Sequence, residues 1–221
     1  MTFAAILLVF VGVYEIRLAS ERRLARVRLR IASDLHDEVG SNLGSIALLS
    51  EMIPGSSEEA EEIRRVSIET VGSLRDIVWF LDPACDKMDE LVLRMKDTAG
   101  MLLRNVPFDF LVEGETDSIR PALNFRRNVV PIFKEVLHNI TKHAKARHVE
   151  IRLHTNAHEF QMQISDDGVG FDEAQVRCGN GLKNLRRRAE ELGGEVAWET
   201  EPGRGSRVIV TVPITRMRGG A

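Results

Sequence analysis

The sequence predicts an α+β protein in two parts, a helical hairpin followed by a domain in which helices cover a mostly antiparallel sheet. Three observations carry that expectation. Apolar residues recur at steps of three and four from Leu24 to Ile53 and again from Ile63 to Leu81, the period of helices with one apolar face. Further on, "RHVEIRLHTN" and "EFQMQISDD" alternate polar with apolar residues, as half-buried strands do. Turn formers punctuate these segments at "PGSS", Pro83, Gly193, Gly194 and "PGRGS", where the chain has to change direction.

Composition narrows the partners. The 221 residues are 43% hydrophobic and 29% charged, ordinary for a chain that folds around one or two cores. Thirty Lys and Arg against 33 Asp and Glu leave a net charge of −3, so direct nucleic-acid binding, which usually shows as a basic domain or stripe, is not expected. Only Cys85 and Cys178 occur. They form neither a disulfide framework nor a zinc-ligand pattern, and a reducing compartment suits them.

The elements follow in order. The run "FAAILLVFVGVY", Phe3 to Tyr14, precedes Arg17, Arg22, Arg23, Arg26, Arg28 and Arg30. As a helix it is about 18 Å long, against a hydrocarbon core of about 30 Å. No basic residue precedes it and no small-x-small site follows, which argues against a signal peptide. Residues 1–16 are therefore expected to be the trailing part of a truncated transmembrane helix, a buried or interfacial helix being the alternative. The arginines then place the remainder in the cytoplasm.

From Leu18 to Ile53 the stripe Leu24, Val27, Ile31, Leu35, Val39, Leu43, Ile46, Leu49 and Ile53 predicts one long helix. After "PGSS", Ser56 with Glu59 matches a capping box, in which each residue satisfies a free amide of the helix start. The second helix carries Ile63, Val66, Thr70, Leu74, Ile77 and Leu81 on one face and stops near Pro83. Such a hairpin has one apolar seam and nothing to cover it. Two copies forming a four-helix bundle solve that problem, so residues 17–83 predict a homodimer. Residues 87–215 predict the layered domain: a helix around 87–105, a strand at "FDFLVE", a helix from about Asn124 to Ala144, the two alternating strands, a helix over "GLKNLRRRAEELGG" and a final hairpin. Residues 216–221 are a tail.

Three short patterns in the second part are weak singly. In "KEVLHNITKHAKA", Glu135, Asn139 and His143 stand four apart along one side of a helix, with Lys142 beside them. Such groups suit a hydrated magnesium ion and phosphates, although a solvated polar face has the same look. "ISDDGVGF" delivers Asp166 from a strand and then Gly168 and Gly170, where the backbone turns or lets a flat ligand approach. "GNGLKNL" leads Gly179 and Gly181, then Leu182, into a helix start, whose free amides favour phosphate. Their fixed order makes them jointly informative.

That order resembles the Bergerat-type (GHKL) ATPase fold, an α/β sandwich shared by gyrase and histidine kinases, over roughly residues 87–215. The resemblance implies ATP and Mg2+. It assigns Glu135 a catalytic role and Asn139 the metal, places Lys142 and His143 near the phosphates, gives Asp166 the adenine amine, and makes Gly168 and Gly170 the turn beneath it. Gly179, Gly181 and Leu182 then form the edge of the nucleotide lid, and Ser206 stands where the family commonly has threonine.

"DLHDEVG", residues 34–40, is similar to the phosphoacceptor box of the HisKA_3 subfamily of sensor histidine kinases. By that resemblance His36 is phosphorylated from ATP and passes the phosphoryl group to an aspartate on a response-regulator receiver domain. The protein would be a dimeric transmitter in the cytoplasm, tethered to the inner or plasma membrane. A nucleophilic imidazole has to be exposed, neutral and oriented through its other nitrogen; Asp37 or Glu38 can orient it or take its proton, Asp37 matching the family's acidic residue. Gly40 and Gly44 follow at four and eight residues, each costing about 1 kcal/mol relative to alanine inside a helix. Either they leave a bare surface for a domain to approach His36, or they loosen the helix. Relatives that also dephosphorylate their partner carry glutamine where this chain has Ser41, which gives no support for phosphatase activity. A GHKL-fold serine kinase or a non-catalytic nucleotide-sensing scaffold is the alternative.

Overall fold

The computed structural model describes residues 12–16, 19, 27, 31, 39–52, 58–114, 116, 119–171 and 180–217, and divides the chain into two compact units between Cys85 and Asp86. His36, Asp37, Glu38, Ser56, Cys178 and Gly179 lie outside the described residues, as does the apolar run up to residue 11. Among the described residues no helix is long and apolar enough to cross a membrane.

In the first unit, residues 12–16, 19, 27 and 31 are helical, and a π-type turn at Val39 and Gly40 leads into α1, Ser41–Glu51. Gly40 itself is helical at φ −63° and ψ −42°, and no side chain caps α1. Helix α2, Glu58–Leu81, opens with Glu58, Glu59 and Glu61 in its first turn, where negative charge complements the helix dipole. The two helices pack together. Ala60, Ser50 and Ser67 are buried, and Phe80 closes the C-terminal end of α2. Much of the apolar stripe is not covered: Ile46, Leu49, Ile63, Val66 and Ile77 are all more than two-fifths exposed. A 3₁₀ turn at Pro83–Cys85 ends the unit.

The second unit contains α3 (Met88–Leu102), β1 (Phe108–Gly114), α4 (Leu123–Asn139), β2 (Val149–Thr155), β3 (Glu159–Asp166), α5 (Asn180–Glu191), β4 (Glu195–Thr200), β5 (Ser206–Pro213) and a short α6 (Ile214–Met217). Its sheet has the order β1-β2-β3-β5-β4, parallel only between β1 and β2. The expected mostly antiparallel sheet is what the chain forms. Strand alternation turns Val149, Ile151 and Leu153 of β2, Phe160, Met162 and Ile164 of β3, and Val210 and Val212 of β5 into the core, as a period of two requires when one face is covered. From α4 come Phe125, Val129, Ile132, Phe133, Val136 and Leu137. Edge-to-face rings join the layers, Phe125 to Phe160 at 5.1 Å and Phe110 to Phe133 at 6.5 Å. Pro131 lies inside α4 without ending it.

Two features at the ends of these elements position the site. Beyond Asn139 the helix widens into a π turn, Ile140–Ala144, and stops at Lys145 in the left-handed conformation, φ 51°. After β3 the chain turns at once, and Gly170 adopts φ 61°. These two ends meet.

Candidate active site

A cleft of about 320 Å³ lies between α4, the start of α5 and the strands β3, β5 and β4, within the usual range for small-ligand sites. Asp166 stands at its floor, the last residue of β3, opposite Ser206 at the start of β5. The Gly168 amide donates to Asp166 Oδ1 at 2.9 Å. Burial holds the Asp166 carboxyl above the usual carboxylate range, against the pull of the Gly168 amide; the charge of Asp167 adds to the rise and the Ser206 amide opposes it. A half-buried carboxylate in an otherwise apolar slot is a selective acceptor for one donor group. Ile164, Val208, Leu185, Trp198 and Phe171 form the apolar walls.

Across the cleft, α4 contributes Glu135, Asn139 and His143, one helical turn apart as their spacing predicts. Gly181 brings the first turn of α5 against them: a Cβ added there would lie 2.5 Å from Glu135 Oε1 and 4.0 Å from Asn139 Nδ2. That approach needs the absence of a side chain. Gly170 is similarly tight, with the Glu201 carbonyl oxygen 2.1 Å from the place of a Cβ. Leu182 and Ser206 also face the cleft.

Two expected residues do not line the cleft. Lys142 is exposed and does not line the cleft, because the π turn rotates it away from the side shared by Glu135, Asn139 and His143. Gly168 is buried in the turn after Asp166, where an added Cβ would lie 2.2 Å from the Ala144 carbonyl oxygen. The sequence reading missed the walls Ile164, Leu185, Trp198 and Val208, and also Phe171 and Thr200. The Thr200 hydroxyl accepts the Phe171 amide at 2.9 Å and lies 3.3 Å from Ser206 Oγ. Alternation could have found Ile164, two residues before Asp166 on the same strand face; Thr200 and Trp198 depend on the β4–β5 register, which no single-strand pattern reveals.

The donors fit a magnesium nucleotide. Among the described residues no group of three His, Cys, Asp or Glu side chains could enclose a metal ion. A cation here would rely on Asn139 with Glu135 nearby and on oxygens from water and phosphate, the manner in which magnesium is commonly held. The apolar slot with Asp166 at its floor suits a purine bearing an exocyclic amine.

Fold and cleft together define a nucleotide-binding module with helices over a mixed sheet. The family model described as "Histidine kinase-, DNA gyrase B-, and HSP90-like ATPase" matches residues 126–216, and HisKA_3, described as "Histidine kinase", matches residues 27–86. Both matches are to histidine-kinase family models, and they follow one another along the chain over residues 27–86 and 126–216. An uncharacterized sensor-like histidine kinase of Chloroflexus aurantiacus is 28% identical over 91% of this chain and 37% of its own length. The signal transduction histidine-protein kinase/phosphatase DegS of Brevibacillus brevis is 26% identical over 85% of this chain and 51% of its own. This chain thus spans about half or less of these relatives. The solved blue-light activated histidine kinase of Erythrobacter litoralis shares the fold with a TM-score of 0.57 at 18% identity, covering 85% of this chain and 61% of that one.

Proposed function

We propose that the protein is the transmitter of a two-component sensor kinase, phosphorylating His36 from ATP and passing the phosphoryl group to a response-regulator aspartate. The observation that carries this reading is the cleft itself, where Asp166, Asn139 and Gly181 converge in a chain whose HisKA_3 match spans His36. A serine kinase or a passive nucleotide sensor would have no use for a histidine phosphorylated there.

Each residue then has a defined task. Ionised Asp166 accepts from the adenine amine while Ile164, Val208 and Trp198 exclude water from the ring. Gly181 lets the α5 amides approach phosphate, and Asn139 supplies the protein oxygen for the cation, with Glu135 beside it and His143 near the phosphates. When bound, magnesium neutralises charge on the transferring group. A lone pair on the His36 imidazole forms the nitrogen–phosphorus bond as the bond to ADP breaks, and the proton on the other ring nitrogen passes to Asp37 or Glu38. Lys142, which does not line the cleft, fits a phosphate contact less well than His143, which does.

The exposed stripe Ile46, Leu49, Ile63, Val66 and Ile77 supports a homodimer in which two hairpins form a four-helix bundle. The Phe3 to Tyr14 run and the arginines behind it support attachment to the inner or plasma membrane with the kinase on the cytoplasmic side. Residues 17–83 serve dimerisation and phosphotransfer, and 87–215 bind ATP. The test is phosphorylation from labelled ATP, with wild type giving acid-labile, base-stable label and His36→Gln and Asn139→Ala giving none. Persistent label on the His36 variant refutes the mechanism.

A further inference from the structure

Asp167, next to the residue that faces the cleft, is not in the cleft and has no role in the chemistry above. Its carboxylate nevertheless accepts two backbone amides. Asp167 Oδ1 accepts the amide of Arg147 at 2.7 Å and that of His148 at 2.8 Å. Those two residues lie between the left-handed Lys145 that ends the π turn and Val149, where β2 begins. Their amides fall outside both ladders, and a side chain supplies the acceptor.

The surrounding backbone points the same way. Val149 pairs with Asp166, so Asp167 stands beside His148, and its own amide reaches the His148 carbonyl at 3.3 Å. The Val169 amide donates to the Ala144 carbonyl at 2.8 Å. Between them Gly168 lies so close that an added Cβ would be 2.2 Å from that carbonyl oxygen. On its far side the same turn is held by the loop between β4 and β5, where the Gly203 amide donates to the Val169 carbonyl at 2.7 Å. The turn after Asp166 is thus fastened to the π turn and the loop that follows it by one carboxylate and two backbone bonds.

We propose that Asp167 is a positioning residue for nucleotide binding: its carboxylate fastens the turn that aims Asp166 to the loop behind the π turn of α4, fixing the adenine-reading carboxylate relative to Asn139 and His143. This rests on reading the cleft as the ATP site. Both amides ask only for an oxygen acceptor, so asparagine in the same rotamer satisfies them and alanine does not. The hydrogen bonds from the His148 and Arg147 amides also hold the Asp167 carboxyl below the usual range, in agreement with an ionised acceptor at neutral pH.

The experiment is calorimetric titration of the full chain with Mg-ADP, together with the rate of self-phosphorylation at saturating ATP. Asp167→Ala is expected to bind about tenfold more weakly, the loss of one to two hydrogen bonds, with the saturated rate changed less than twofold. Asp167→Asn is expected to bind within about twofold of wild type, the rescue that a bulk electrostatic role would not allow. Asp167→Ala binding as tightly as wild type overturns the proposal. So does Asp167→Asn binding about tenfold more weakly than wild type, and that arm stands even where the alanine variant fails to fold. Wild type failing to bind Mg-ADP overturns the nucleotide reading itself, a result separable from either.

Discussion

On the proposed reading, Asp166 joins a desolvated carboxyl to an amine donor that its ionised form accepts more strongly than its neutral form. Because burial raises its pKa in the free protein, and a bound adenine amine favours the carboxylate, nucleotide binding releases a proton at mildly acid pH. The sign follows: affinity is full above the raised pKa and falls as pH drops through it, beginning at a higher pH than for an ordinary aspartate. Titration with Mg-ADP from pH 8 to about 5 checks this, and Asp166→Asn is expected to be weaker, by about 1.5–3 kcal/mol at neutral pH for a charged hydrogen bond, and flat across the range. A pH-independent wild type would show that Asp166 is not the adenine acceptor. The glycines nearby separate two kinds of crowding. Gly168→Ala sets a Cβ 2.2 Å from the Ala144 backbone oxygen, whereas Gly181→Ala meets the movable end of Glu135 at 2.5 Å. The first should destabilise the second unit by about 1–3 kcal/mol in denaturant titration. The second should leave stability nearly unchanged and weaken nucleotide binding, because Glu135 has to move from beside Asn139.

Helix α1 poses the converse question. Nothing lies within 4 Å of a Cβ added at Gly44, so alanine there is expected to stabilise the helix by about 1 kcal/mol. If phosphotransfer to a receiver then slows while self-phosphorylation is kept, the bare surface is what the glycine supplies; if both slow together, the loosened helix is. The elements differ in how openly the sequence declares them. Period and punctuation were enough for α2, β2, β3 and the β4–β5 hairpin, because each buries one face and stops at a turn former. The helix from about Asn124 to Ala144 was legible despite Pro131, since Phe125, Val129, Ile132, Phe133 and Val136 keep their spacing through it. Its π turn was not. The change of pitch after Asn139 has no signature of its own, and it is what removes Lys142 from the cleft. The cleft residues that alter the backbone, Gly170 and Gly181, could be read from composition and order; Trp198, Val208 and Thr200 could not, since their places depend on which strands lie side by side.

At the scale of the molecule the two units are built on different physics. The second has a dense core of its own, with Phe125, Phe133, Phe160 and Met162 fully buried, enough to stand without a partner. Among the described residues of the first, burial is confined to Ser50, Ala60, Ser67 and Phe80, while Ile46, Leu49, Ile63, Val66 and Ile77 face outward. Apolar area left in water contributes nothing until a second copy covers it, so the hairpin should draw its stability from association and the nucleotide domain from its own packing. Two thermal transitions are expected. Hundredfold dilution should lower the midpoint of the hairpin transition and leave the other in place. Mg-ADP at about 100 times its Kd should do the reverse, stabilising the second unit by about 2.7 kcal/mol with no effect on the hairpin. Val66→Glu, which sets a charge on the exposed stripe, should abolish the concentration dependence and yield monomers by light scattering, with nucleotide affinity intact. A single transition responding to both dilution and nucleotide would mean instead that the two units unfold as one, and the dimer would then be a property of the nucleotide domain as much as of the helices.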